Sequence, residues 1–302
     1  MNVFSLFDGI STCYYVLQKM GIPVENYYAS EIEQSAMAIS RYNFGDKITQ
    51  LGDVTKIDPT PLIGKIDLMT WGSPCVDFTI IKNKREGLKG KGSGLYLNAL
   101  DLYHTIKPKY FFMENVQMTQ DWEDIITNDL GVKPIYIDSD VISGAHRPRL
   151  YWTNIPVLSE LHDTHPTLGE FLQKAEEVAD KYWYRDKEYD YISDTANVQC
   201  IMHFNCHEMG KRVFNSNGVC GTLTTVRGGY NEKKVYQNGT PRKLTPIEYE
   251  RLQGLPDDYT KYGIYDNSSE VKVIADSKRY SACGNGWTVG VIEHLFGGLR
   301  NG

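Results

Sequence analysis

Phe4-Ser5-Leu6-Phe7-Asp8-Gly9-Ile10-Ser11-Thr12 runs from an apolar β-type segment through a glycine-containing turn into a stretch of helical length. A strand handed to a helix through such a turn begins a βαβ unit, and its backbone amides commonly meet a nucleotide-like ligand. The pattern repeats over the first 155 residues. Short apolar runs at 3–7, 27–30, 66–71, 110–113, 135–137 and 150–153 alternate with helical-length segments at 12–20, 34–42 and 95–106, the last stopping before Pro108. This alternation predicts parallel strands with crossover helices, an α/β fold.

Open sheets of this kind do their chemistry at the carboxyl ends of their strands. Gly72-Ser73-Pro74-Cys75 follows the apolar run ending at Trp71 and so puts a thiol there. Glu114-Asn115-Val116 and His146-Arg147-Pro148-Arg149 each adjoin a short apolar run. A nucleophile, a carboxyl group and two guanidiniums suit thiolate addition to an electron-poor ring such as a pyrimidine. The first turn lacks the Gly-x-Gly-x-x-Gly spacing that brings backbone close to a pyrophosphate, which disfavours a dinucleotide. Glu31 and Asp53 follow at successive strand ends. Carboxylates repel phosphates but accept hydrogen bonds from ribose hydroxyls and an exocyclic amine, so a nucleoside without phosphates is the expected ligand.

At 302 residues and 41% hydrophobic content the chain can build a substantial core. No run of 18 apolar residues appears, and Met1-Asn2-Val3-Phe4-Ser5-Leu6-Phe7 reads as a core strand rather than a secretory signal. Six irregularly spaced cysteines fit reduced thiols in a cytoplasm. Cys200, His203, Cys206 and His207 form a cluster of potential soft ligands, but their spacing matches no standard zinc finger, and no metal is expected. The net charge of −6 argues weakly against nucleic acid, yet its distribution matters more. Lys82, Lys84, Arg85, Lys89 and Lys91 stand against Glu86 alone. Arg227, Lys233, Lys234, Arg242 and Lys243 stand against Glu232 alone. The stretch 76–94 also carries Gly87, Gly90, Gly92 and Gly94, as expected of a basic lid with hinge freedom.

Between about 156 and 245 the sequence becomes irregular and rich in Asn, Gly and Tyr, which predicts a smaller, loop-rich unit. After it, Thr245-Pro246-Ile247-Glu248 reads as a helix start, with Thr245 as N-cap, Pro246 first in the helix and Glu248 completing a capping box; Gly254 marks the end. Residues 289–299 supply a last amphipathic helix.

Taken together and in order, Phe7-Asp8-Gly9-Ile10-Ser11, Glu31, Gly52-Asp53-Val54, Ser73-Pro74-Cys75, Glu114-Asn115-Val116, Arg147-Pro148-Arg149, Arg251-Leu252-Gln253-Gly254-Leu255-Pro256 and Gly284-Asn285-Gly286 resemble the cytosine-C5 DNA methyltransferases over nearly the whole chain. The resemblance implies a Rossmann-like methyltransferase sheet with a smaller target-recognition domain, and S-adenosylmethionine as methyl donor. It implies that Phe7 stacks on the adenine, Glu31 binds the ribose, Asp53 accepts from the adenine amine, and Gly9 and Asn285 flank the methionine portion. Asp8, Ile10, Ile32, Val54, Pro74, Leu95 and Trp287 complete the implied cofactor set.

For the chemistry, the resemblance implies Cys75 as the nucleophile at cytosine C6, Glu114 at N3 and Arg149 at O2. Arg147 joins this catalytic set, and both arginines are candidates for the positive charge that favours a thiolate. A stacked base is out of reach, so the cytosine must rotate out of double-stranded DNA. Lys82, Lys84, Arg85 and Lys89 are candidate DNA contacts. Thr222-Leu223-Thr224-Thr225-Val226-Arg227-Gly228-Gly229 matches the target-recognition region, making Arg227 a guanine-reading or phosphate-gripping candidate.

Ser-Pro-Cys in place of Pro-Pro-Cys, Ala145 where many members have Gln, and Trp287 are similar to the subgroup containing the animal de novo methyltransferases. An RNA cytosine methyltransferase is the enzymatic rival, disfavoured by a sizeable recognition segment because A-form RNA hides its major groove. A non-catalytic DNA-binding homologue is the rival outside enzymes. The expected division is 1–155 with 278–302 as catalytic domain and 156–277 as recognition domain. The expected setting is the cytoplasm of a prokaryotic or phage-infected cell, without membrane attachment, with a cognate restriction endonuclease as a further candidate partner.

Overall fold

The computed structural model describes residues 1–72, 91–185, 189–191, 200–204, 210–226, 231–265 and 268–301. The chain forms two compact units. The first comprises Met1–Ile137, Pro148–Glu160 and Ile292–Gly302; the second, Asp138–Arg147 and Leu161–Val291. This differs from the expected division at three places. Residues 138–147 belong to the second unit, residues 156–160 belong to the first, and the return to the first unit falls at 292 rather than 278.

In the first unit the order is β1 (Asn2–Leu6), α1 (Thr12–Lys19), β2 (Asn26–Ser30), α2 (Gln34–Phe44), β3 (Thr49–Gln50), β4 (Leu68–Trp71), α3 (Lys91–Ile106), β5 (Tyr110–Val116), α4 (Gln120–Leu130), β6 (Ile135–Asp138) and β7 (Pro148–Thr153). The strands make one sheet of order β3-β2-β1-β4-β5-β7-β6. From β3 through β2, β1 and β4 to β5 each adjacent pair is parallel, but β7 runs antiparallel to β5. The chain direction reverses where the two motifs after residue 110 must meet.

Period-two alternation assigns the faces. Phe4, Leu6, Met69, Trp71, Phe111, Met113, Leu150 and Trp152 point to one side and cluster with Tyr96, Ala99, Leu102 and Ile106 of α3 and with Ile126 and Leu130 of α4. Burying each of the larger side chains contributes about 1.5–3 kcal/mol. On the other side Phe112 packs against Tyr151 and, edge to face, against Phe296.

The second unit holds β8 (Tyr189–Tyr191), β9 (Cys200–Phe204), β10 (Arg212–Phe214), β11 (Lys234–Gln237), β12 (Thr240–Lys243), α5 (Pro246–Leu252), β13 (Tyr262–Ile264), β14 (Val271–Val273) and α6 (Asp276–Asn285). β12-β11-β10-β9-β8 form a mixed sheet, and β13 pairs with β14. The predicted capping box is present: Thr245 Oγ1 accepts from Glu248 N, while Thr245 N donates to Glu248 Oε2 at 2.7 Å. The last helix, α7 (Val289–Leu295), gives way to a 3₁₀ turn at Gly297–Asn301, shorter than the single helix expected. Among the described residues no helix is long and apolar enough to cross a membrane.

Candidate active site

The site grows from the parallel register. Leu6 pairs with Ser30 of β2 and with Trp71 of β4, and Trp71 pairs with Met113 of β5. The next residues along, Phe7, Glu31, Gly72 and Glu114, therefore form one row at the carboxyl edge of the sheet. Asp53 follows the end of β3. Cys75 and Pro74 lie outside the described residues; three positions separate the thiol-bearing residue from Gly72.

The turn between β1 and α1 is conformationally costly. Phe7, Gly9 and Ser11 have φ of 53°, 59° and 59°, a region that only glycine enters freely. A buried network holds it there. Asp8 accepts from Tyr27 Oη at 2.6 Å and from Ser11 Oγ at 2.5 Å, and Ser11 Oγ lies 2.6 Å from Ser40 Oγ. Burial pushes the Asp8 carboxyl above its usual range, opposed by its hydroxyl donors. Its side chain is thus turned inward to build the turn. Ile10 and Val54 also have buried side chains.

Glu31 locks the adjoining loop. Its Oε2 accepts from Gly9 N at 2.8 Å, and its Oε1 from Ile32 N and Glu33 N at 2.7 and 2.8 Å. Asp53 accepts from Thr55 N at 3.0 Å and from Thr55 Oγ1 at 2.8 Å, and these bonds hold its carboxyl below the usual range. It is an ionised acceptor at neutral pH. Two observations fit a nucleoside lying here. A Cβ on Gly9 would meet nothing within 4 Å, and Ile32 leaves 69% of its apolar surface uncovered beside Glu31. Phe7 and Leu95 are half-buried. Asn285 is exposed and Trp287 half-buried, both within the second unit.

The reversal of β7 builds the second half of the site. β7 pairs Arg149 with Val116 and Tyr151 with Glu114, so Arg149 and Glu114 are diagonal neighbours on one face. Arg149 Nε lies 2.7 Å from Glu114 Oε1, and both side chains are 12% exposed. Arg149 Nη1 donates to Pro148 O at 2.8 Å.

Arg147 is placed elsewhere. Its guanidinium is 4% exposed and donates to the carbonyls of Leu223, Gly284 and Gly286. It belongs to the second unit's framework. The second basic run is corrected in part: Arg242 and Lys234 are fully buried, Arg242 against Glu248 and Lys234 donating to Gly210 O and Glu232 O. Lys82, Lys84, Arg85, Lys89 and Arg227 lie outside the described residues, as do the side chains of the Cys200–His207 cluster.

The thiols of Cys13 and Cys220 are buried and pushed up to about 12, and burial also raises Cys283 well above the usual thiol range. None of these three is a nucleophile at neutral pH. Among the described residues one group has metal-ligand types within reach, Asp138, Asp140 and His146. Their mutual pairing accounts for it: His146 Nδ1 lies 2.6 Å from Asp138 Oδ2 and 3.1 Å from Asp140 Oδ2. Sequence reasoning quoted Gln253 without giving it a role. Its Nε2 donates to Cys283 O at 2.6 Å and Gly286 O at 3.2 Å, so it supports the turn bearing Asn285.

A Rossmann-like sheet with acceptors at successive strand ends, a strained glycine turn and a carboxyl–guanidinium pair defines an α/β enzyme of the methyltransferase class. The model of the C-5 cytosine-specific DNA methylases matches residues 1–127 and 150–301, and the chain belongs to that family. It methylates cytosine at C5 in DNA. The chain is similar to the type II methyltransferase M.NgoBI of Neisseria gonorrhoeae, 28% identical over 97% of this chain and 90% of that one. It is also similar to M.HhaI of Haemophilus parahaemolyticus, 22% identical over 98% and 93%. The structure of the methyltransferase EhMeth of Entamoeba histolytica superposes with a TM-score of 0.73 at 17% identity, covering 100% of this chain and 98% of that one.

Proposed function

We propose that the enzyme takes a cytosine rotated out of duplex DNA and methylates it through a covalent adduct with Cys75. The observation that carries the reading is the Glu114–Arg149 pair, whose Glu114 lies on the same register row as Phe7, Glu31 and Gly72. Cys75 Sγ bonds to C6, and the ring electrons move toward C5 and N3. Glu114 meets the charge at N3 with a proton, and Arg149 polarises O2. C5 then takes the methyl group, the C5 proton passes to water or hydroxide, N3 returns its proton to Glu114, and the Cys75–C6 bond breaks to restore the ring and the thiolate.

S-adenosylmethionine, when bound, supplies the methyl group as a sulfonium. Phe7 and the open face of Ile32 cover the adenine, Asp53 accepts from its amine, and Glu31 accepts from the ribose. The Gly9 turn admits the chain of the methionine portion, and Asn285 and Trp287 are the second unit's candidates for it. Lys82, Lys84, Arg85, Lys89 and Arg227 are candidate contacts to double-stranded DNA. The type II relatives support a modification role beside a restriction endonuclease, in a prokaryotic or phage-infected cytoplasm.

Incubation with unmethylated plasmid and labelled S-adenosylmethionine, followed by conversion sequencing for 5-methylcytosine, tests the function. Modification at one short motif is the expected result; label appearing in transfer RNA and not in DNA is the result that overturns it. Within this scheme, Glu114→Gln is expected to lower kcat about 10²-fold, because an amide delivers no proton to N3. Glutamine also gives up the ion pair with Arg149 while keeping the size of the side chain. Duplex affinity by fluorescence anisotropy is expected to stay near wild type, and equal turnover by the variant would remove Glu114 from the chemistry.

A further inference from the structure

Three carbonyl groups converge on one buried guanidinium in the second unit. Arg147 Nη1 donates to Leu223 O at 3.4 Å and Gly284 O at 3.2 Å, and Nη2 donates to Gly286 O at 2.8 Å. These acceptors come from two stretches far apart in the chain. One is the segment 223–226 that leads into Arg227; the other is the turn closing α6. Gly284 shows how closely they sit: a Cβ there would lie 2.6 Å from the Thr224 carbonyl carbon and 2.7 Å from its oxygen. The 223–226 backbone is seated directly on the turn, with no room for a side chain between them.

Both ends of this junction are braced. Gln253 holds the turn through Cys283 O and Gly286 O. Arg147 N donates to Asp138 Oδ1 at 2.7 Å, and the other oxygen of Asp138 pairs with His146, which fixes the backbone from which the guanidinium extends. A planar guanidinium reaches several acceptors at once in a fixed fork, whereas a lysine ammonium is a point charge on a flexible stem.

The geometry points to Arg147 as a positioning residue for target discrimination, one that sets the height and direction of segment 223–226. The inference rests on reading 222–229 as the target-recognition segment. Base edges are told apart by hydrogen bonds that must be placed within about half an ångström. Contacts to the phosphates are less exacting and are shared by all sequences. Loosening the seat therefore removes discrimination before it removes DNA binding.

The target of the wild-type enzyme is first mapped by conversion sequencing of methylated plasmid. kcat/KM is then measured on a duplex carrying that target and on one with a single altered base pair, for wild type, Arg147→Lys and Gly284→Ala. The glycine variant lifts segment 223–226 with its Cβ and leaves the guanidinium in place. The target-to-altered ratio is expected to fall about tenfold in both variants, through a higher KM for the target duplex. An unchanged ratio in a folded variant overturns the proposal. So does an equal fall in kcat on both duplexes, which is the signature of a group acting on the reacting base.

Hydrogen exchange on the wild-type protein gives a readout that needs no variant. Target duplex is expected to protect 223–226 and 283–287 together, and protection of one stretch without the other overturns the junction. A wild-type enzyme that methylates no DNA overturns the functional reading and this inference with it; normal methylation with an unmoved ratio sinks the inference alone.

Discussion

Serine in place of Cys75 is expected to lower methyl transfer to DNA by roughly 10³-fold or more, with duplex and cofactor still bound. A cysteine with a pKa of about 8.5 is a few per cent thiolate at neutral pH, and sulfur is intrinsically a strong nucleophile. A serine hydroxyl at the same position is almost wholly un-ionised and needs a general base that a thiol does not. The remaining described cysteines provide the control. Cys13, Cys220 and Cys283 are buried, with thiols held protonated by desolvation. Cys13→Ala and Cys220→Ala are expected to change stability and leave the rate constant of the chemical step near wild type. Single-turnover methylation of the mapped target duplex, with duplex affinity measured in parallel, checks both. Turnover by Cys75→Ser within tenfold of wild type would falsify the covalent mechanism.

The parts of this enzyme that are legible in sequence are those whose cause is local. The β1–α1 turn announces itself through a glycine between an apolar run and a helical one, and α5 through Thr245, Pro246 and Glu248 at capping positions. Glu114 and Arg149 were recognisable as a motif pair, but their contact depends on strand direction. Arg149 is the second residue of β7, and a parallel β7 would have put it at the opposite edge of the sheet from the end of β5. Nothing in the residues 148–153 encodes that reversal. The partners of Arg147 are illegible in sequence for a related reason: they are carbonyls 76 to 139 positions away, and no neighbouring residue hints at them. Asp8 sits in the motif that the cofactor turn defines, yet it faces Tyr27 and Ser11 because three positive φ angles within five residues need an anchor beneath them. α4 and α6 were not anticipated; their apolar stripes are narrow, with only Ile126 and Leu130 buried in α4.

Glu248→Ala is expected to destabilise the second unit by about 3–5 kcal/mol, the cost of leaving one charge of a buried pair uncompensated. The basic run around Arg242 looks like a DNA-facing surface in sequence, but Arg242 and Glu248 have fully buried side chains. The pairing is bidentate, Nη1 to Oε2 at 2.7 Å and Nη2 to Oε1 at 2.6 Å, which is the strong geometry for this pair. Glu248 also accepts from Gln173 N at 2.8 Å and Thr245 N at 2.7 Å, while Arg242 Nε donates to Gln237 Oε1 at 2.7 Å. Alanine therefore strands a guanidinium and two backbone donors together. Arg242→Met alone is expected to cost a similar amount, since it leaves a carboxylate buried. The double variant Arg242→Met with Glu248→Leu separates charge from packing. Apolar side chains of similar volume remove both charges, so most of the loss is expected to return, with roughly 1 kcal/mol retained for the missing cap of α5. Chemical denaturation read by hydrogen exchange in α5 and β12 measures the three variants within the unit concerned. Additive losses, with the double variant as unstable as the sum of the singles, would show that packing around residues 242 and 248, rather than their charges, holds this region together.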